Sequence, residues 1–142
     1  MKIIPILNLY SSRDQEVQSR AGLNWGLSNG HVNTADAYIA LSRNFLMQNP
    51  NFFPSQGSTI SVTWDDGVVM ECLLEGTQEI NGTIYPKQIS TFKDKSVLGI
   101  YLRGRLEVSD THRITRLDLQ NYGRDNIEVI SLGLNKYSFN FG

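Results

Sequence analysis

The sequence has few of the residue types that carry catalysis and cross-linking. It contains one cysteine and two histidines in 142 residues. A single cysteine excludes an intrachain disulfide, and Cys72 lies in the apolar-flanked run 68–74, which predicts a buried thiol in a reducing compartment. No run of eighteen apolar residues occurs, and the first ten residues carry no small-residue cleavage site. These absences favour a soluble, cytoplasmic protein that has no membrane partner.

Signatures of known active sites are missing as well. Neither His31 nor His112 has metal-ligand spacing to the other histidine or to Cys72, and neither begins the His-x-Lys pair of phospholipase-D-like nucleases. No acid stands two residues before a lysine, and there is no Gly-x-Ser-x-Gly or Walker loop. We therefore predict no catalytic residues, no metal site and no cofactor, and we expect that this chain alone is not an enzyme.

Length and composition are those of an ordinary globular domain. With 40% apolar and 19% charged residues, the sequence predicts one domain over residues 1–142. The net charge of −1 conceals an asymmetry, because residues 82–124 hold eight basic and four acidic side chains while residues 51–81 hold five acids and no base. Local charge governs the attraction of phosphates. The basic half could therefore meet nucleic acid, and a mixed, solvated surface is the open alternative.

Short extended runs separated by turn signals predict a mainly β fold. The hairpin is clearest at Asp65-Asp66-Gly67, because an Asp-Gly pair between two β-rich runs indicates a type I′ turn. The predicted strands are residues 3–10, 38–41, 58–64, 68–74, 83–91, 127–132 and 137–141. Seven strands with a few short helices are typical of an open β-barrel.

Three short helices are predicted between the strands. The first is residues 43–48, with Ser42 as its N-cap, and the second is residues 96–106, capped by Ser96. The third is residues 116–122, which begins with the capping box of Thr115 and Asp118 and ends at Gly123. Residues 96–106 also fit a strand. We favour the helix from the spacing of Leu98, Tyr101 and Leu102, although two internal glycines cost roughly 1 kcal/mol each relative to alanine.

Residues 20–37 form a long connection that lacks apolar periodicity. The segment is rich in glycine and asparagine, is uncharged through its middle and carries one of the two tryptophans. Connections of this length inside a compact domain are more often functional surfaces than spacers. The alternative is a plain surface loop with a buried tryptophan.

Several blocks of sequence together resemble a known family. In order they are Arg-Ala-Gly-Leu-Asn-Trp-Gly at 20–26, Phe-Phe-Pro at 52–54, Asp-Asp-Gly at 65–67, Cys72, Leu-Gly-Ile-Tyr-Leu-Arg-Gly-Arg-Leu at 98–106 and Asp-Leu-Gln-Asn-Tyr-Gly-Arg at 118–124. This combination is similar to the C-terminal DNA-recognition region of NgoFVII-type restriction endonucleases. The blocks occur in the family's order and span nearly the whole chain.

The resemblance implies a B3-like fold, a seven-stranded open pseudobarrel with short α-helices, whose two arms grip the major groove of double-stranded DNA. In full-length relatives a phospholipase-D-like nuclease part precedes this domain and cuts the DNA. The implied parent is thus a site-specific deoxyribonuclease, a hydrolase of a restriction-modification system. Nothing in this chain resembles that nuclease. Ala21 stands where the family commonly has serine, which leaves the recognised DNA sequence open.

Carried over by position, the two arms lie within residues 20–37 and 76–91. The N-arm candidates are Arg20, Asn24, Trp25, Ser28, Asn29, His31, Asn33 and Thr34. The C-arm candidates are Gln78, Asn81, Tyr85, Lys87, Gln88, Ser90 and Thr91. Amide side chains suit adenine, arginine and lysine suit guanine, and hydroxyls suit either. Trp25 fits an anchor for the loop better than a base-stacking platform.

Basic side chains after the C-arm are the candidates for phosphate contacts, which position a domain without reading sequence. They are Lys93, Lys95, Arg103, Arg105, Arg113 and Arg116. Arg124 fits either such a contact or a structural ion pair with an acid such as Asp118. A DNA-independent β-barrel that serves as an interaction or regulatory module is the alternative function, and the modest net charge favours it.

Overall fold

A computed structural model describes residues 4–28 and 33–142. Within them the chain forms seven strands, three α-helices and one 3-10 helix, Gly22–Leu27. The strands are β1 Ile6–Asn8, β2 Ile39–Ala40, β3 Thr59–Trp64, β4 Val69–Ile80, β5 Thr83–Thr91, β6 Asn126–Gly133 and β7 Lys136–Asn140. The α-helices are α1 Arg43–Gln48, α2 Ser96–Leu106 and α3 Arg116–Tyr122.

The described strands make one curled sheet in the order β1-β6-β7-β3-β4-β5-β2. Every neighbouring pair is antiparallel except β3 and β7, which run parallel. The sheet curls into a half-barrel whose two edges are the short strands β1 and β2. This arrangement confirms the prediction of a mainly β, seven-stranded open barrel with short helices.

Alternating apolar residues direct the strands onto a common core. In β3, Ile60, Val62 and Trp64 are buried, while the intervening Thr59, Ser61 and Thr63 are only partly covered. The neighbouring strand β7 follows the same rule and buries Tyr137 and Phe139. Full burial of such a side chain contributes about 1.5–3 kcal/mol. The period-2 pattern therefore decides which face of this sheet meets the core.

The predicted hairpin at Asp65-Asp66-Gly67 is present between β3 and β4, but its turn type differs from the prediction. Only Gly67 has a positive φ, 88°, and its amide donates to Trp64 O at 2.9 Å, while Trp64 N donates to Val68 O at 2.8 Å. Three residues therefore form the loop, a type I turn followed by a left-handed glycine. The type I′ prediction was wrong here because a three-residue loop needs positive φ only at its last position.

A type I′-like turn occurs instead at the next hairpin. Asn81 and Gly82 have φ of 51° and 83° and connect Ile80 directly to Thr83. Asparagine and glycine are the residues that tolerate this left-handed pair. The two-residue turn fixes the register of β4 on β5, which is the longest strand pair in the sheet.

The three predicted helices are all present. Ser42 Oγ accepts a hydrogen bond from Phe45 N at 3.1 Å, and Thr115 and Asp118 form the reciprocal capping box of α3. Residues 96–106 are helical, yet Ser96 is not the cap. Its amide donates to Asp94 Oδ1 at 3.0 Å, because the carboxylate is the better acceptor at a helix N-terminus. None of the described helices is long and apolar enough to cross a membrane.

The fold brings the segment 20–37 beside the hairpin 76–91. The segment leads into β2, which pairs with β5 through Ile39 opposite Ile89 and Ala40 opposite Gln88. The end of β5 leads in turn into α2, where Ala37 N donates to Lys95 O at 3.2 Å. We call residues 20–37 the N-arm segment and residues 76–91 the C-arm hairpin.

Candidate nucleic-acid interface

One row of side chains crosses the outer face of β2, β5 and β4. Ala40 pairs with Gln88, and Gln88 pairs with Glu75, so the three side chains lie on the same face of the sheet. Their neighbours Ile39 and Ile89 are buried on the opposite face. The row is only partly covered, which makes it accessible from outside the barrel.

Aromatic and charged groups extend this row towards the N-arm segment. The Trp25 and Tyr38 rings meet edge to face with centroids 6.0 Å apart, and Lys95 Nζ lies 5.7 Å from the Trp25 ring. Lys95 Nζ also lies 2.7 Å from Glu75 Oε1, which accepts from Ser90 Oγ at 3.1 Å. We call this connected surface the floor, and its members are Trp25, Tyr38, Ala40, Glu75, Gln88 and Lys95.

Asn33 of the N-arm segment and the tip of the C-arm hairpin lie at opposite ends of the floor. Asn33 lines a groove with Phe92 and Lys93, just past the end of β5. The Asn81–Gly82 turn precedes the start of β5. Nine residues of strand separate the two ends, about 26 Å at a rise of ~3.3 Å per step. The floor therefore lies between Asn33 and the Asn81–Gly82 turn.

The described N-arm candidates differ in accessibility. Arg20, Asn33 and Thr34 are exposed, and Asn33 Oδ1 accepts from Ala35 N at 2.9 Å. Ser28 is half-buried and donates from Oγ to Trp25 O at 2.7 Å. Asn29 and His31 lie outside the described residues. Trp25 packs against Tyr38 and Lys95, as a side chain that anchors the loop would.

Asn24 does not face solvent, so its prediction as a base-reading residue was wrong. Its side chain is 0% exposed. The amide nitrogen donates to Gln18 O at 2.9 Å and Ile114 O at 2.8 Å, while Oδ1 accepts from Ile114 N at 2.8 Å and Arg103 Nη2 at 3.4 Å. These partners use every donor and acceptor position of the amide. Asn24 thus holds the base of the N-arm segment.

The C-arm hairpin leaves three of its seven candidates accessible. Asn81 and Lys87 are exposed, and Gln88 is half-buried on the floor. Gln78 is half-buried and donates from its amide nitrogen to Leu41 O at 2.9 Å, and Tyr85 packs against the core. These two side chains support the hairpin from its inner side.

Ser90 and Thr91 were predicted as base readers, and the structure contradicts both. Ser90 is 0% exposed and donates to Glu75. Thr91 Oγ1 donates to Asp94 O at 2.6 Å and accepts from Leu98 N at 3.1 Å. The sequence pattern could not show this, because the two side chains lie on opposite faces of β5 and each has a different partner. Ser90 bonds to Glu75 on the outer face, whereas Thr91, on the face of Ile89, bonds to the backbone at the start of α2.

Of the six side chains predicted to contact phosphates, three make hydrogen bonds or ion pairs within the protein. Arg103 is 0% exposed and donates to main-chain carbonyl groups, and burial lowers its pKa. Arg105 pairs with Asp65 at 2.9 Å and Arg116 with Asp125 at 2.9 Å. The predicted phosphate role of Arg103 was wrong, because its guanidinium is buried. For the half-buried Arg105 and Arg116 the phosphate role stays a prediction, which their ion pairs disfavour. Lys93 and Arg113 are exposed, and Lys95 is half-buried beside Glu75.

Arg124, Cys72 and the possible metal ligands complete the list of predicted residues. Arg124 is a structural arginine, but its partner is Glu128 at 3.0 Å, whereas Asp118 pairs with His112 at 2.8 Å. Cys72 is buried as predicted, and burial raises the pKa of its thiol to about 12. Within residues 4–28 and 33–142, no three side chains of His, Cys, Asp or Glu are grouped as a metal site.

Comparison with known families identifies the family of the chain that carries this surface. The family model for the NgoFVII C-terminal B3-like DNA-binding domain matches residues 4–133 of the chain. The chain belongs to this family. It is thus a B3-like DNA-binding domain of a restriction enzyme, and its half-barrel is the B3-like pseudobarrel that the sequence resemblance implied. No curated protein matches the chain.

The B3-like domain contains floor residues that sequence reasoning missed, namely Tyr38, Ala40 and Glu75. One of them, Glu75, could have been found. A two-residue turn at Asn81–Gly82 fixes the β4–β5 register, and simple counting then sets Glu75 opposite Gln88. Ala40 follows only from the pairing of β2 with β5, which is a long-range contact that no local signal announces.

Proposed function

We propose that the domain reads a short sequence of double-stranded DNA in the major groove, with the N-arm segment and the C-arm hairpin on either side of the floor. The observation that carries this proposal is the floor itself, a partly accessible outer face between Asn33 and the Asn81–Gly82 turn, in a chain of this DNA-binding family. Amide, hydroxyl and basic side chains occupy the accessible positions, and these groups suit base edges.

The accessible candidates divide into two roles. Asn33, Thr34, Asn81, Lys87 and Gln88 have the chemistry of base readers, each good bidentate contact being worth about 1–3 kcal/mol of discrimination. The exposed cations Arg20, Lys93 and Arg113 suit phosphates. Asn29 and His31 remain candidates by sequence. The recognised DNA sequence depends on which of these side chains meet base edges.

We further propose that residues 1–142 act as one non-catalytic, cytoplasmic domain and that a nuclease part outside them cuts the DNA. The parent would be a restriction endonuclease with a phospholipase-D-like nuclease domain or subunit. Incubation of the chain with its selected duplex should leave the DNA uncut. Reproducible site-specific cleavage by the chain alone would contradict this division of labour.

A DNA-independent interaction module is the second candidate, and the ion pairs favour it. Lys95, Arg105, Arg116 and Arg124 are paired with acids, so the basic half of the sequence does not form an equally basic surface. Long-range attraction of DNA would then be weak. Sequence reading by hydrogen bonds at the floor does not require a strong net field, which is why we favour the first proposal.

Selection from random duplexes separates the two candidates. Enrichment of one short motif, with affinity that falls as salt rises, is expected for a DNA reader. Because few exposed cations flank the floor, the slope of log affinity against log salt should correspond to a small number of phosphate contacts, about 0.9 for each. Absence of any enriched motif, or binding that does not respond to salt, would overturn the proposed function.

A further inference from the structure

We propose that one turn of α2, from Gly99 to Arg103, positions the N-arm segment for base reading. The inference rests on the proposed DNA-reading function. It assigns a role in sequence selectivity to two side-chain positions that are themselves buried. Both are positioning residues, which act through the backbone of the segment that they hold.

Arg103 holds the first stem of the N-arm segment, at Leu23 and Asn24. Its Nη2 donates to Leu23 O at 3.2 Å and to Asn24 Oδ1 at 3.4 Å, while its Nε donates to His112 O at 2.9 Å. No described carboxylate forms an ion pair with this buried guanidinium. The charge is therefore stabilised by oxygen atoms that belong partly to the N-arm segment, so a shift of Leu23 would leave the guanidinium without one of its partners.

Gly99 holds the second stem of the N-arm segment, at Ala35. A Cβ atom at this position would lie 1.7 Å from Ala35 O and 2.9 Å from Ala35 C. The main chain of the segment thus packs directly on the main chain of the helix, in space that any other residue would fill. One turn earlier, Lys95 O accepts from Ala37 N at 3.2 Å.

Both contacts come from the same face of the same helical turn. Residues four apart in an α-helix are neighbours on its surface, and Arg103 Nη1 donates to Gly99 O at 3.3 Å. The two stems also bond to each other, because Gly26 N donates to Asp36 O at 2.7 Å. One helical turn therefore holds both stems of the N-arm segment, residues 23–26 and 35–37, and Asn33 lines the groove beside Lys93.

We call these contacts of Gly99 and Arg103 with the two stems the bracket. The bracket affects how well the domain distinguishes DNA sequences more than whether the domain folds. Hydrogen bonds to base edges tolerate only a few tenths of an ångström in length, so a small displacement of the loop removes base contacts. Phosphate contacts from long, flexible side chains tolerate the same displacement. Loss of the bracket should therefore reduce discrimination between DNA sequences while leaving general DNA binding in place.

The decisive experiment uses two identical substitutions in one helix. Gly99→Ala must displace Ala35, whereas Gly104→Ala, five residues further along α2, adds a Cβ with nothing within 4 Å. Affinities are measured for the selected duplex and for a scrambled duplex, together with the salt slope. Gly99→Ala should lower the ratio of the two affinities about tenfold or more, the equivalent of one lost bidentate contact. Gly104→Ala should keep the wild-type ratio.

A second variant covers the case in which Gly99→Ala does not fold. Arg103→Lys keeps the charge but not the planar set of donors that reaches Leu23, Asn24 and His112 together. It should lose selectivity and increase hydrogen exchange in peptides from residues 20–37, but not in peptides from β3 and β4. Wild-type selectivity in either folded variant, or equal loss of affinity for both duplexes, would overturn the bracket. A wild-type chain that selects no sequence would instead overturn the proposed function.

Discussion

Arg105 on α2 grips Asp65 in the β3–β4 turn through two parallel hydrogen bonds. Nη1 donates to Oδ1 at 3.1 Å and Nη2 to Oδ2 at 2.9 Å, and the guanidinium also donates to the hydroxyls of Tyr101 and Tyr122. The contact joins the basic half of the sequence to its acidic half. It therefore locks the hairpin turn onto the two helices and removes a cation from the surface.

This contact predicts a loss of stability in acid. The hydrogen bond from Arg105 lowers the pKa of Asp65 below its ordinary value of 3.8. Because the folded-state pKa is the lower one, the contribution is fully present above the unfolded pKa and is lost as pH falls through the folded value. Urea denaturation of wild type and Asp65→Asn should therefore differ near neutral pH and converge once the pH falls below the folded-state pKa of Asp65, which is itself lower than 3.8. The exposed Glu79→Gln serves as control, and equal acid profiles for all three proteins would contradict the prediction.

Asn24→Ala should destabilise the domain. The substitution strands the amide and carbonyl groups of Ile114 in a buried site and removes an acceptor of Arg103. We expect the free energy of unfolding to fall by roughly 2–4 kcal/mol, since each unsatisfied buried group costs about 1–3 kcal/mol. Asn121→Ala, at an exposed position on α3, should change it by less than about 0.5 kcal/mol. Denaturant titration measures both, and equal effects would argue against a buried anchor.

Gln88→Ala should weaken sequence-specific binding with little effect on general binding. Its amide lies on the floor beside Glu75 and can bond adenine through two hydrogen bonds. The affinity for the selected duplex should fall by about 1–3 kcal/mol, while that for a scrambled duplex stays near the wild-type value. Gln120→Ala on α3 removes an exposed glutamine elsewhere and should leave both affinities unchanged. A parallel loss for both duplexes would assign Gln88 to a non-specific role.

Lys93→Gln and Arg113→Gln should each reduce the salt dependence of DNA binding. Both side chains are exposed and carry no ion pair within the described part of the chain. A lost phosphate contact lowers the slope of log affinity against log salt by about 0.9 and weakens all sequences alike. Lys136→Gln, at the exposed first residue of β7, is the matched control. A slope that does not change, or a loss confined to one sequence, would count against the phosphate role.

Local signals in the sequence predicted most of the fold. The alternation in β3, the serine cap of α1 and the capping box of α3 act within a few residues, and the structure has each of them as expected. The 3-10 helix Gly22–Leu27 was not predicted, because its six residues have no apolar periodicity and are held by distant groups such as Ile114 and Arg103.

The candidate site was harder to predict, and the arginines show why. Arg103, Arg105 and Arg116 are clustered with other basic residues in sequence, but the fold brings carbonyl groups or acids to each of them. Charge that is segregated along a chain need not be segregated in space. Exposure likewise depends on what packs above a strand, which is why Ser90 and Thr91 turned out to be buried.

By itself the sequence determined the family, the strand and helix inventory and the absence of familiar active-site signatures, because these follow from residue types at short spacing. Only the tertiary structure decided which polar side chains remain accessible for DNA and which hold the arms in place. The long, glycine-rich segment before β2 illustrates the division. Its composition indicated a functional loop, but the contacts of Asn24 with Ile114 and of Gly99 with Ala35 join residues more than sixty positions apart, and no local pattern encodes them.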